Sequence, residues 1–301
     1  MTEYTAETPA LDNSQYCRAV SRGELTCIEV RHPSFSADIL TQGAQLIHFA
    51  PTDEAPWIWL SPTAEYKRGI SLRGGIPVCW PWFGDLNKNP AAIQALSASD
   101  NAPAHGFVRT QEWYLISVSE TDSSVAITLA KEVADSLLWQ ANAALSLTIT
   151  MTKKELTLSL TTSAIGQPLA ITQALHTYFP TTDITATHIE GLDGALYTDA
   201  LDGWQRKTQQ GAIGFSGETD RIYQAPPAMV LRTPASVRQL TSSSHSAIVW
   251  NPWTDKSQRL SQFPDDAWRT MFCVESANAL EDMVCLEAGE SHTLTMSLQN
   301  A

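Results

Sequence analysis

Positive charge is scarce in this 301-residue chain. Nineteen Lys and Arg stand against 32 Asp and Glu, a formal net charge of -13. Such a balance offers no electrostatic footprint for nucleic acid or an anionic membrane, and neither is expected as a partner. An anionic ligand must instead be met by a local cluster of Arg or Lys, against the overall field. Cysteine is sparse and scattered: Cys17, Cys27, Cys79, Cys273 and Cys285 include no Cys-x-x-Cys pair. That removes the zinc knuckle and the dithiol redox motif, and reduced thiols in a cytoplasmic protein are the simplest expectation. No apolar run is long enough to span a bilayer. Met1 to Ser14 is acidic and polar, without the basic-then-apolar order of a signal peptide.

Common chemical motifs are missing as well. There is no Gly-x-Gly-x-x-Gly, no Walker loop, no Gly-x-Ser-x-Gly elbow and no His-Glu-x-x-His. The seven histidines, at 32, 48, 105, 176, 188, 245 and 292, form no His-x-His pair. Nucleotide, serine-hydrolase and simple zinc chemistry lose weight accordingly, and neither a metal nor a cofactor is expected.

Helical periodicity is also scarce; Asp265–Met271 and Asp135–Gln140 could each make a turn. Strand patterns fill the chain instead. Leu25–Arg31, Ser36–Leu40, Gln45–Ala50, Trp57–Leu60, Gly106–Val118 and Val125–Lys131 read as strands, with a polar surface loop over Leu86–Ala102. The clearest pattern is Ala144–Thr162. Leu145, Leu147, Ile149 and Met151 alternate with Ser and Thr, Lys153-Lys154 turns the chain, and Leu156, Leu158 and Leu160 alternate again. This predicts a long antiparallel hairpin with one apolar and one hydroxyl-rich face. Thr293–Leu298 alternates in the same way. Strands without intervening helices exclude a doubly wound fold. The expectation is an all-β protein: a loose tail over residues 1–15, then a single large antiparallel β-sandwich over 16–301 with few short helices.

Arg73-Gly74-Gly75-Ile76-Pro77-Val78-Cys79-Trp80-Pro81-Trp82-Phe83-Gly84 stands out in this background. Its glycines let backbone approach a ligand closely. Trp80 and Trp82 offer flat faces of the kind sugar rings pack on. Arg73 is a rigid fork of donors for hydroxyls, carboxylates or phosphates. An aromatic-rich crossing between strands, with Arg73 in a structural ion pair, fits the stretch equally well. Further polar residues interrupt apolar segments. His105 and Arg109 lie four apart, on one face if Ala104–Arg109 is a strand. His176 sits among apolar and aromatic residues, and Glu275 ends a hydrophobic run. Each could be a satisfied structural residue. Together they are harder to dismiss, because unpaired buried charge is expensive and such groups face a cleft or each other.

Six segments recur in a particular order: Arg73–Pro77, Ala104–Arg109, Leu175–Phe179, Thr219–Tyr223, Val249–Trp253 and Cys273–Glu275. In combination they resemble the D-hexose-6-phosphate mutarotases (glucose-6-phosphate 1-epimerases), a branch of the aldose 1-epimerase superfamily, from about Leu25 to Leu298. The resemblance implies a galactose mutarotase-like supersandwich and an isomerase that interconverts the α and β anomers of glucose 6-phosphate and similar sugars. It implies His176 as general acid and Glu275 as general base. His105 and Asp220 match sugar-hydroxyl ligands, and Arg73 and Arg109 match the basic residues that hold the phosphate. In the wider superfamily the arginine at the Arg73 position touches the sugar itself. Trp80 and Trp82 make this copy of the first segment unusually aromatic, and ring packing on them is expected. Mutarotation needs no cofactor, the substrate is a small sugar phosphate, and a cytoplasmic monomer suffices. Two rival readings remain: a non-catalytic sugar-phosphate-binding or regulatory protein on the same fold, and a glycoside-active enzyme using Asp220 and Glu275 as paired carboxylates.

Overall fold

The structure, a computed structural model, describes residues 9–224 and 228–301. Among them, strands dominate and helices are short, the longest α-helix being the five residues Trp253–Ser257. An all-β antiparallel architecture is what the alternation predicts. A four-stranded antiparallel sheet forms first, from Cys17–Arg22, Leu25–His32, Phe35–Leu40 and Leu46–Pro51 in sequence order. A nine-stranded antiparallel sheet contains the expected hairpin, Asn142–Thr152 with Glu155–Ile165, flanked by Ser124–Val133 and Ser291–Asn300. An eight-stranded sheet carries Leu196–Asp199, Thr219–Gln224, Ser246–Asn251 and Met271–Asn278 side by side. Gln173–Leu175, Tyr178–Pro180 and Val78–Cys79 continue it at one edge.

The hairpin shows why the pattern folds as it does. Its register sets Ile149 opposite Leu158 and Leu147 opposite Leu160. Leu147, Ile149, Leu156 and Leu158 are fully buried. The other face is a ladder of hydroxyl pairs, including Thr128 with Thr148 at 3.0 Å, Thr157 with Ser297 at 2.7 Å and Thr161 with Thr293 at 2.9 Å. Period-two alternation separates the two chemistries, and cross-strand pairs of like kind stabilise each face. Most buried apolar residues of the three large sheets, from Ile28 and Phe49 through Leu158 to Val249 and Leu294, form one contiguous cluster, while Leu25, Cys27, Leu40 and Ile47 of the four-stranded sheet join Leu72 in a second, smaller one.

Several expectations are corrected. Trp57–Leu60 is not a strand; Trp57 is buried edge-on against Phe49, and only Leu60 makes an isolated bridge, to Gly74. Gly106–Val118 becomes a strand only from Tyr114; Val108–Thr110 is a turn of 3-10 helix. Glycine geometry explains that break. Gly106 has φ +69°, and a Cβ there would lie 1.9 Å from the Trp80 carbonyl oxygen, so the backbone turns against Trp80 where no side chain fits. A four-residue helix, Ala91–Gln94, lies in the expected loop. In the expected tail, residues 1–8 lie outside the described residues. Residues 9–15 are tied down: Pro9–Leu11 makes a 3-10 turn, and the Ser14 hydroxyl and Gln15 N–H both donate to the Glu120 carboxylate. Among the described residues, no helix is long and apolar enough to cross a membrane.

Candidate active site

The site starts from strand register. Leu175 pairs with Ser276 and Tyr178 with Cys273, so His176 stands directly across from Glu275 on the neighbouring strand. Directly paired residues share a face, and so do residues two apart. Glu275 is level with Ile248 and Ile222, while one step along the same face Tyr178, Cys273, Trp250 and Asp220 form the next row. Four strands, with His176 in the two-residue gap between Gln173–Leu175 and Tyr178–Pro180, therefore bring an imidazole, two carboxylates, a phenol and an indole to one face of the sheet. His176 Nε2 lies 3.4 Å from Glu275 Oε1, and the two side chains are only 10% and 1% exposed. Glu275 Oε2 is buried without a hydrogen-bond partner among the described residues. Buried polar atoms are seldom left so, and this one can accept a donor brought by a ligand.

Aromatic rings fix the imidazole. Tyr178 stacks on His176 at 4.9 Å and 16°, Trp59 stacks on Tyr178 at 5.8 Å, and Trp250 meets His176 edge-on at 6.3 Å. Burial pushes the pKa of the Tyr178 hydroxyl up, and the Arg73 guanidinium acts electrostatically on it. His105 comes from the turn before Val108–Thr110, with φ +64°. It is locked to Gly84: its backbone N–H donates to the Gly84 carbonyl at 2.8 Å, and its Nδ1 accepts from the Gly84 N–H at 3.2 Å. A neutral imidazole that accepts at Nδ1 carries its proton on Nε2, so His105 is a donor on its free side. Its ring centroid is 5.4 Å from that of His176. Arg109 is oriented by donating to the Ala104 carbonyl at 2.7 Å.

Burial and neighbouring charges shift every ionisable group of the imidazole–carboxylate cluster. Burial, then the guanidinium groups of Arg109 and Arg73, push the His176 pKa down to about 3. Burial, with the positive charges of Arg109, Arg73 and Lys256 and the neighbouring His176 imidazole adding to it, also holds His105 well below the ordinary imidazole value. Glu275 is raised well above the usual carboxylate value by burial, with the Asp220 charge adding to it. Asp220 is itself raised, chiefly by burial, against the lowering pull of Lys256. Arg73 and Arg109 thus act on the two imidazoles, while Asp220, itself paired with Lys256, acts on Glu275.

His105, His176, Glu275, Asp220, Arg73 and Arg109 all come to this one region. Trp80 and Trp82 do not, which corrects the expectation of a sugar platform. Both are fully buried; Trp80 Nε1 donates to Thr162 and Trp82 Nε1 to the Pro103 carbonyl, and both pack on Phe107 and Trp139. They hold the Arg73–Gly84 crossing in the core. The rings that do wall the site, Tyr178 and Trp250, lay inside the six segments without being singled out. Lys256 was missed altogether, because a five-residue helix has no periodicity to announce it. Its Nζ lies 3.2 Å from Glu218 Oε1 and 3.6 Å from Asp220 Oδ2. A separate cleft of about 1070 Å³, lined by Arg22, Asp38, Trp59 and Arg238 among others, contains none of these six residues. Its Arg22 and Arg31 guanidinium groups are already paired with Glu29 and Asp38.

An antiparallel β-sandwich carrying a buried imidazole–carboxylate pair walled by aromatic rings suits proton transfer on a small molecule. The chain belongs to the aldose 1-epimerase family, a family of sugar isomerases whose model matches residues 26–299. It is 32% identical over 275 residues to an Escherichia coli (strain K12) protein named "Putative glucose-6-phosphate 1-epimerase", covering 89% of this chain and 88% of that one. A plant relative of the same name, from Cenchrus ciliaris, is 29% identical over 290 residues, 91% of this chain and 81% of that protein. Among solved structures, the Salmonella typhimurium protein YeaD, described as a "putative mutarotase", superposes with a TM-score of 0.83 at 27% identity over 96% of both chains. Galactose 1-epimerase from Lactobacillus acidophilus shares the fold, with a TM-score of 0.69 at 12% identity over 94% of this chain and 97% of that one.

Proposed function

We propose that this protein interconverts the α and β anomers of aldohexose 6-phosphates, glucose 6-phosphate among them. The observation that carries the reading is the buried His176–Glu275 pair. Its 3.4 Å separation suits two groups that address the two oxygens of one anomeric carbon. Glu275 takes the proton of the anomeric hydroxyl while His176 gives a proton to the ring oxygen. The bond from the anomeric carbon to the ring oxygen breaks, leaving the open-chain aldehyde. Rotation about the adjacent carbon–carbon bond presents the other carbonyl face. The ring recloses as Glu275 returns its proton to the carbonyl oxygen and His176 takes one from the attacking hydroxyl. Two protons move each way and nothing is consumed.

The phosphate belongs beside Arg73 and Arg109. Arg73 and Arg109 are forks for charge-assisted bonds to phosphate oxygens, while the His105 Nε2–H and the Asp220 carboxylate suit sugar hydroxyls. In the protein alone, burial and the two guanidinium groups leave His176 neutral and favour the pair's proton on Glu275. A phosphate on Arg73 and Arg109 offsets their field and returns proton affinity to His176, where the reaction needs it. The names of the E. coli and C. ciliaris relatives support the same substrate. The test is exchange NMR on α-glucose 6-phosphate with purified protein. Anomer exchange well above the buffer rate, stronger than on free glucose, is expected. Tight binding of the sugar phosphate with no acceleration would replace the reading by a non-catalytic binder.

A further inference from the structure

We infer that Lys256 is a positioning residue for this site: its ammonium group holds the Asp220 carboxylate ionised and turned toward the substrate, and so sets the grip on the sugar hydroxyls. The inference rests on the mutarotase reading and deepens it. Lys256 contacts two carboxylates at once, Glu218 at 3.2 Å and Asp220 at 3.6 Å, and its Nζ lies 5.9 Å from the centroid of the Trp250 ring. Trp250 is paired with Asp220 across the strands and packs on both His176 and Tyr178. The cation is therefore mounted on the same aromatic wall as the reacting pair.

Its root is rigid. The preceding Asn251 is fully buried, donates to the Trp268 and Met271 carbonyls and accepts from the Trp253 N–H. The following Ser257 hydroxyl bonds to the Thr254 and Asp265 carbonyls. Trp253 packs on Trp268 at 4.3 Å. The short helix is thus tied to the chain that leads into the strand of Glu275.

The surroundings make the cation necessary. Asp220 feels the negative charges of Glu218 and Asp199, and its own charge reaches Glu275. Lys256 is the cation bonded to it, and besides these carboxylates Lys256 faces the Trp250 ring and acts on His105. Without it, a half-buried Asp220 among three other acids takes up a proton or turns away, and the sugar hydroxyls lose an acceptor. Lys256 is a poor phosphate ligand for the same reason, since its charge is already shared between two carboxylates. The phosphate is left to Arg73 and Arg109.

The test compares wild type, Lys256→Met, Lys256→Arg and Glu218→Gln by exchange NMR on glucose 6-phosphate across pH. Lys256→Met should raise KM about tenfold, with a smaller fall in kcat, as expected when the ion pair that orients Asp220 is lost and its charge-assisted bond to a sugar hydroxyl weakens. The acid limb of kcat/KM should move to higher pH, because Asp220 then protonates more readily. Lys256→Arg should restore most of both. Glu218→Gln should move the limb the other way, to lower pH, since it removes a like charge and frees Lys256 for Asp220. The inference is overturned if folded Lys256→Met keeps the wild-type KM and pH profile, or if Glu218→Gln moves the limb upward. Carbon NMR titration of Asp220 in wild type and Glu218→Gln reads the same ion pair even if Lys256→Met does not fold. It also separates the two ideas: an Asp220 shift without anomer exchange in wild type sinks the mutarotase reading alone, and exchange without a shift sinks the role of Lys256.

Discussion

His176 and Glu275 face each other across two paired strands, with Nε2 3.4 Å from Oε1, because the register sets Leu175 against Ser276 and Tyr178 against Cys273. The pair is held by backbone pairing and ring stacking rather than by its own weak interaction. Substituting either side chain should therefore leave the fold standing.

Glu275→Gln and His176→Asn should each lower kcat by about 10²–10⁴-fold, the range for a positioned acid or base. The double variant should be little worse than either single one, because the two groups act as a unit. Exchange NMR measures the rates and circular dichroism checks the fold. A near-native rate in either folded single variant would refute the assignment.

The same two residues impose opposite pH dependences on folding. The His176 pKa falls from 6.5 to about 3 on folding, so the unfolded chain binds the extra proton in that window and stability declines as pH drops through it. Glu275 is raised well above 4.5, so its contribution is full below 4.5 and fades as pH rises toward the folded value. His105 acts in the sense of His176, and Asp220 in the sense of Glu275. Urea midpoints across pH should therefore fall at both ends. His176→Asn should flatten the acid arm and Glu275→Gln the opposing fall that sets in above 4.5. Wild-type slopes retained in both variants would show that neither group is shifted by folding.

Arg109→Ala should lower kcat/KM on glucose 6-phosphate about ten- to a hundredfold, the worth of one charge-assisted hydrogen bond to phosphate. The effect on free glucose should be far smaller, and added salt should weaken the phosphorylated substrate more. Equal effects on both sugars would mean that Arg109 serves only to brace the turn through the Ala104 carbonyl.

Stability should separate the interior from the site. Leu158→Ala, in the hairpin core, should cost about 2–5 kcal/mol. Trp80→Phe removes the bond to Thr162 from a fully buried ring, and it should lower the denaturation midpoint while leaving KM for the sugar phosphate unchanged. Chemical denaturation and steady-state kinetics check the pair. A raised KM with unaltered stability would return Trp80 to the site.

The alternation of Leu and Ile with Ser and Thr over Ala144–Thr162 determined the hairpin, its turn and its buried face, because side-chain direction in a strand has period two and is a local property. The order of the six segments marked the family and named His105, His176, Glu275, Asp220, Arg73 and Arg109 together. Distance between segments was beyond its reach. Only the pairing of strands far apart in sequence set His176 against Glu275, and only the packing of the Trp253–Ser257 helix brought Lys256 to Asp220. Composition around Trp80 and Trp82 suited a sugar platform and a buried crossing equally. The close approach of Gly106 to the Trp80 carbonyl, with the indole N–H groups bonded to Thr162 and Pro103, settled it for the core. The same turn broke the expected strand, so His105 reached the site by a left-handed backbone and not by a shared strand face. Local pattern reports which way a side chain points, and what it meets there depends on packing between segments that no single segment encodes.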